Sequence, residues 1–129
     1  MNIANVYAAT ERMPKAEDAY RNAVGLFEKL QAEFPNVTAY TEGLAQAHGN
    51  LGSALLKAGK LGDAAESSRQ SQKLFEKLAT ANPTIPRYAC DVSMVFNYLA
   101  LIASQEGDRP KARIFLNSAI KWLEVATKL

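Results

Sequence analysis

The sequence predicts an all-α fold, a solenoid of about three antiparallel helical hairpins. Three observations predict it. The chain repeats itself without a gap every 48 residues, its prolines fall only at seams between long proline-free stretches, and apolar residues recur at spacings of three and four within those stretches.

The repeat is carried first by Leu26-Phe27-Glu28-Lys29-Leu30, which returns as Leu74-Phe75-Glu76-Lys77-Leu78. The same shift superposes Ala16 on Ala64, Arg21 on Arg69, Pro35 on Pro83, Tyr40 on Tyr88, Leu51 on Leu99 and Gly59 on Gly107. Eleven of the 47 pairs between 16–62 and 64–110 are identical, where average residue usage gives roughly three. A third copy begins at Ala112 in the same register, so the units run over about 1–34, 37–81 and 86–129.

Each unit reads as two helices. The first stretch, about 2–12, is a truncated helix whose Ile3, Ala4 and Tyr7 hold the register of Leu51, Gly52 and Leu55. The second, 14–34, opens at Pro14 and carries the stripe Ala16, Tyr20, Ala23, Phe27 and Leu30. The third, 38–58, follows Pro35 and aligns Leu44, Ala47, His48, Leu51, Leu55 and Ala58 before Gly59. The fourth, 62–81, starts with Ala64, Ser68 and Ser71 on one face and stops before Pro83. The fifth, 86–106, repeats the third with Val92, Val95, Phe96, Leu99 and Ala103. The sixth, 110–129, repeats the second with Ala112, Leu116, Ala119, Leu123 and Ala126. Pro14, Pro86 and Pro110 suit a first helical turn, where a missing N–H costs nothing. Gly59 and Gly107 suit left-handed caps. No segment alternates β-branched residues with period two, so no strand is expected.

Composition narrows the function. In 129 residues the apolar share of 48% and charged share of 22% are those of a folded globular domain. A net charge of +2 is too small to drive nucleic-acid or membrane binding by itself. No apolar run approaches a membrane span and no signal peptide is visible, and the single cysteine leaves a reducing cytoplasm as the expected compartment. The lone Cys90 allows no internal disulfide, and one cysteine with one histidine, His48, makes no zinc site. His48 lies on the apolar stripe where Phe96 stands in the next unit, so a packed, hydrogen-bonded core histidine is expected. Cys90 aligns with Glu42, off the stripe. Glu66, Asp91 and Glu106 read as scattered carboxylates on solvated faces, and Glu17 with Arg21 as an i,i+4 helix pair. Trp122 aligns with Leu26 and Leu74 and reads as terminal core. No phosphate loop, catalytic set, metal site or cofactor motif is present, so no enzyme activity is expected.

The pattern resembles the tetratricopeptide repeat. His48, Leu51-Gly52, Leu55 and Gly59 match that family's first helix, as do Phe96, Leu99-Ala100, Ala103 and Gly107. Ala16, Tyr20 and Ala23 match its second helix, followed by Ala64, Ser68 and Ser71, then Ala112, Leu116 and Ala119. The resemblance implies a right-handed superhelix of helix pairs. The family's usual period is about 34 residues, so this chain departs from it by a longer second helix and a proline-containing linker. Long-period units of this kind resemble arrays attached to large bacterial signalling proteins, including multidomain protein kinases, and the chain reads as a piece of a longer array.

The resemblance places the first helices along a concave face, which implies a protein or peptide partner. The residues expected there are Asn5, Gln46, Asn50, Ser53, Lys57, Met94, Asn97, Tyr98 and Leu101. The asparagines supply donors and an acceptor for a peptide backbone, and Met94, Tyr98 and Leu101 supply apolar contact. Lys57 is the single cation of that face, which argues against a carboxylate clamp and against RNA. The alternative is a structural or oligomerisation array without a groove ligand. Ile114, Phe115, Trp122 and Val125 on the last helix favour self-association, most simply a homodimer through a terminal helix.

Overall fold

Five helices make up the described part of the chain, residues 13–128 of the computed structural model. They are α1 (Met13–Glu33), α2 (Thr38–Lys57), α3 (Leu61–Ala81), α4 (Pro86–Gln105) and α5 (Arg109–Thr127). No strand occurs among the described residues. The expected helix over 2–12, with Asn5, lies outside them. Each helix packs against the next, and connections of three or four residues make every neighbouring pair antiparallel.

The 48-residue shift is written into the local geometry. It carries α1 onto α3 at both ends, α2 onto α4 at both ends, and α3 onto α5 at the start. Both first helices end in the same two-bond turn. Gly59 (φ +78°) donates to the Leu56 carbonyl at 3.0 Å and Lys60 to Leu55 at 2.9 Å. Gly107 (φ +81°) donates to Ser104 at 3.0 Å and Asp108 to Ala103 at 2.9 Å. Those four bonds satisfy carbonyls that a helix end leaves open, and the left-handed φ explains why glycine holds both positions. Ala58 and Glu106, expected as last helical residues, are the caps of these turns, and Ala58 is exposed and not on the stripe. The unit-to-unit connections repeat as well. Val37 and Ile85 are extended residues preceding α2 and α4, and their N–H groups reach the Phe34 and Asn82 carbonyls at 3.2 and 3.1 Å.

Within the α2–α3 hairpin the two helices meet on small residues. Ala64 is fully buried, and a Cβ added to Gly52 would lie 2.6 Å from Ser68 Oγ and 3.3 Å from the Ala64 carbonyl oxygen. One buried hydrogen bond spans each described hairpin. Ser71 Oγ donates to the Ala45 carbonyl at 2.8 Å, and Ser93 Oγ donates to the Ala119 carbonyl at 2.7 Å. Positions 45 and 93 are equivalent under the repeat, as are 71 and 119. The bond recurs at the same crossing, with the hydroxyl moved to the opposite helix.

The core divides into two connected clusters. One gathers Tyr20, Val24, Leu44, Leu51, Leu55 and Ala64, with Ile102 reaching in from α4. The other gathers Phe75, Leu78, Tyr88, Val92, Phe96 and Leu99, with Phe115 and Trp122 of α5 packed against it. Trp122 is thus terminal core, as its alignment predicts, and with Phe115 it drops out of the exposed set expected for self-association, of which Ile114 and Val125 remain exposed. Leu116 and Leu123, expected on the core stripe of the last helix, are about half exposed at 46% and 48%. Their burial requires a helix on the far side of α5, and none of the described helices lies there.

Two further expectations change. The Glu17 carboxylate is bonded by Lys60 Nζ at 3.0 Å, across the hairpin, and not by Arg21 one turn on. His48 packs on the stripe as expected, but its buried Nδ1 has no hydrogen-bond partner. Burial lowers the imidazole pKa below its ordinary value of 6.5, opposed by Glu28 and Glu66. A base whose folded pKa is lowered contributes stability above its unfolded pKa and loses it as pH falls through the window between the two.

Leu51→Asp is expected to lower the melting temperature severely, because an unpaired buried carboxylate costs several kcal/mol against a total of about 5–15. Asn50→Ala, one residue away on the groove side, should shift it little, and equal shifts would invert the assignment of faces. For His48→Phe, the aromatic found at the equivalent position 96, melting should become less sensitive to acidification from about pH 7.5 to about 5.5 than in the parent. Parallel pH curves for the two proteins would remove His48 as the source.

Candidate functional site

A groove of about 670 Å3 runs between α2 and α4, with α3 as its floor. It follows from the repeat. α2 and α4 are equivalent first helices, both antiparallel to α3, so they lie parallel with a channel between them. The α2 wall carries Gln46, Gly49, Asn50, Ser53 and Lys57, and the α4 wall carries Asp91, Met94, Val95 and Tyr98. Each set advances by three or four residues, as one helix face must. Ser68, Ser71 and Phe75 of α3 form the floor together with Tyr20 of α1.

Six of the nine residues expected on the concave face line this groove: Gln46, Asn50, Ser53, Lys57, Met94 and Tyr98. Leu101 lines an adjoining depression of about 490 Å3 that shares Ser53, Lys57 and Tyr98. Asn97 is exposed on α4 but does not line the groove, so the expected row of asparagines is not brought together there. Asn5 lies outside the described residues.

Asp91 is the charged groove residue that the sequence reading missed. It was expected on a solvated face, yet it is half-buried and forms part of the wall. Burial raises its pKa, the neighbouring Glu42 carboxylate raises it further, and Arg87 opposes both. Arg87 is held by Glu42 at 3.1 Å and stacks on the Tyr88 ring 4.8 Å from its centroid. The spacing carried the signal, since Asp91 precedes Met94, Val95 and Tyr98 by three, four and seven residues on one face. Tyr20 was read only as core and Phe75 only as part of the repeat, and both are buried while still closing the floor.

The groove therefore offers amides and hydroxyls along one wall, apolar side chains along the other, and one charge of each sign. Asp91 lies near the start of α4 and Lys57 at the end of α2. Because the helices are parallel, the two charges mark opposite ends, about 20 Å apart at 1.5 Å per residue. Cys90 is exposed and outside this lining. Among the described residues no group of three or more His, Cys, Asp or Glu could hold a metal ion, and no helix is long and apolar enough to cross a membrane.

An acid whose folded pKa is raised contributes its stability below the unfolded pKa and loses it as pH rises through the folded one. Asp91→Asn is therefore expected to melt close to the parent near pH 4 and above it near pH 7. A difference that does not grow over that range would show that the Asp91 charge carries no burial penalty.

No family model matches this chain, and no curated protein is similar to it at a significant level. Among solved structures, a similarity is found to the crystal structure of MamA, at 14% identity and a TM-score of 0.29, covering 100% of this chain and 99% of that one.

Proposed function

We propose that this chain is a non-enzymatic protein-interaction module that holds an extended peptide, or a loop of a partner protein, between α2 and α4. The observation that carries the reading is the groove's division into a hydrogen-bonding wall and an apolar wall. An extended strand projects its side chains to alternate sides, so one row would meet Met94, Val95 and Tyr98 while backbone amides meet Asn50, Gln46 and Ser53. The length between Asp91 and Lys57 suits about six extended residues. A tetratricopeptide-like identity of the units, and attachment to a larger bacterial signalling protein in the cytoplasm, belong to the same reading. They rest on the repeat motifs.

Selection from a random peptide library displayed against the folded chain tests this. Enriched peptides are expected to bind at least about tenfold more weakly to Tyr98→Ala and Asn50→Ala, and unchanged to Asn97→Ala, which lies outside the groove. Failure to enrich any sequence, or enrichment insensitive to the groove substitutions, would overturn the proposal. A structural array without a groove ligand would then be the better reading, and the uncovered side of α5 is the observation that favours it.

A further inference from the structure

Of the two charges that line the groove, only one is placed to discriminate between occupants. Lys57 is exposed in the last turn of α2, where water already hydrates its ammonium and an ion pair adds little. Asp91 is half-buried in the α4 wall. A carboxylate held partly away from water separates an opposite charge from a neutral group far more sharply, because water competes for it less.

The chain itself leaves that charge unanswered. Among the described residues no donor bonds the Asp91 carboxylate and no cation pairs with it. The charges that bear on it are Glu42 of α2 and Arg87, one turn back on α4. Arg87 is committed elsewhere. Its Nη2 bonds Glu42 Oε1 at 3.1 Å and its Nη1 bonds Oε2 at 3.4 Å, while Nη2 also donates to the Tyr88 hydroxyl at 3.1 Å. Fork and carboxylate answer each other, and Asp91 remains as the net negative charge of that end. Its raised pKa, with burial as the largest cause and Glu42 the next, is that of a carboxylate short of a partner.

The surroundings suit a cationic side chain carried by a peptide. Glu42 meets Arg87, so Gln46, one turn after Glu42, comes level with the part of α4 that holds Asp91 and offers an amide oxygen as a second acceptor. Met94 and Val95 follow Asp91 on the same wall, about 4.5–6 Å further along the helix. Two residues of extended chain advance about 6.6 Å and return a side chain to the same side. Taking the groove as a peptide site, on which this step rests, we propose that its Asp91 end is a cation subsite. It selects peptides with a lysine or arginine two positions from an apolar residue, the basic side chain meeting Asp91 and the apolar one meeting Met94 and Val95.

Selection of a displayed random peptide library against the full chain, against Asp91→Asn and against Asp91→Lys reads the preference, with melting curves to show that each variant is folded. Peptides enriched by the parent are expected to carry lysine or arginine two positions from an apolar residue. In one such peptide made synthetically, norleucine in place of the basic residue should weaken binding to the parent at least about tenfold, and binding to Asp91→Asn less than about twofold. Asp91→Lys should enrich aspartate or glutamate at that position instead. Peptides that lose affinity for Tyr98→Ala yet show no basic preference would overturn the cation subsite and leave the groove reading standing. So would a basic residue that contributes equally to the parent and to Asp91→Asn. No enrichment against any of the chains would overturn both.

Discussion

The close approach of paired helices in the described hairpins, set by residues too small to hold them apart, is the constraint on which the rest depends. At Gly52 the backbone of α2 comes near enough to α3 that a single added carbon would collide with Ser68 Oγ. Ala64 and Ser68 face it, both buried to within 2% exposure. With the axes so close, the larger side chains cannot sit between the paired helices. They project to the sides, where Leu55, Leu99 and Ile102 become the largest of the fully buried residues. The hairpins then stack side by side, with α2 and α4 meeting at Ile102, which joins Leu51 and Leu55, and at the Arg87–Glu42 pair, and with the groove lying between them. The groove is a consequence of that spacing.

The turns preserve the spacing along the chain. Glycine at 59 and 107 lets the backbone reverse within three residues while every donor in the turn finds a carbonyl. A longer connection would leave the second helix free to slide along the first. Arg87 fixes the relation between successive units, because its guanidinium holds the Glu42 carboxylate of α2 while lying over Tyr88 of its own helix. The ion pair is solvent-exposed and contributes on the order of 1 kcal/mol or less. Its location gives it weight, since it orders the Glu42 carboxylate beside Asp91 at one end of the groove.

Helix positions were legible in the sequence almost to the residue, because each boundary is punctuated by a proline that cannot continue a helix or a glycine that alone accepts a left-handed φ. Those signals are local. The groove wall on α2 was legible for a related reason, since Gln46, Asn50, Ser53 and Lys57 are polar and spaced along one face. The α4 wall was half legible, with Met94 and Tyr98 found and Asp91 missed. Burial of a carboxylate depends on what the neighbouring helix places beside it, here Glu42, and that lies 49 positions away in sequence. The same reason explains Leu116 and Leu123. Periodicity shows which face of a helix is apolar, but a face is core only where another helix covers it. The His48 ring likewise sits where its stripe puts it, whereas the missing partner of its Nδ1 is a fact about the surrounding helices and leaves no trace in spacing.

The exchange of the hydroxyl between Ser71 and Ser93 bears on how a chain of near-copies finds its own partners. Tandem units whose helices share a pattern risk assembling out of order, the first helix of one unit closing on the second helix of another. In the native arrangement each crossing receives one hydroxyl, from α3 in one hairpin and from α4 in the next. If α4 closed on α3 as its hairpin partner and α2 on α5, one crossing would hold both hydroxyls. The other crossing, between Ala45 and Ala119, would have none. A buried hydrogen bond contributes about 1 kcal/mol, so the crossing left without a hydroxyl would lack a contribution of that order that both native crossings have. Placed this way, a pair of serines acts as an address label, telling apart two hairpins that are otherwise built alike.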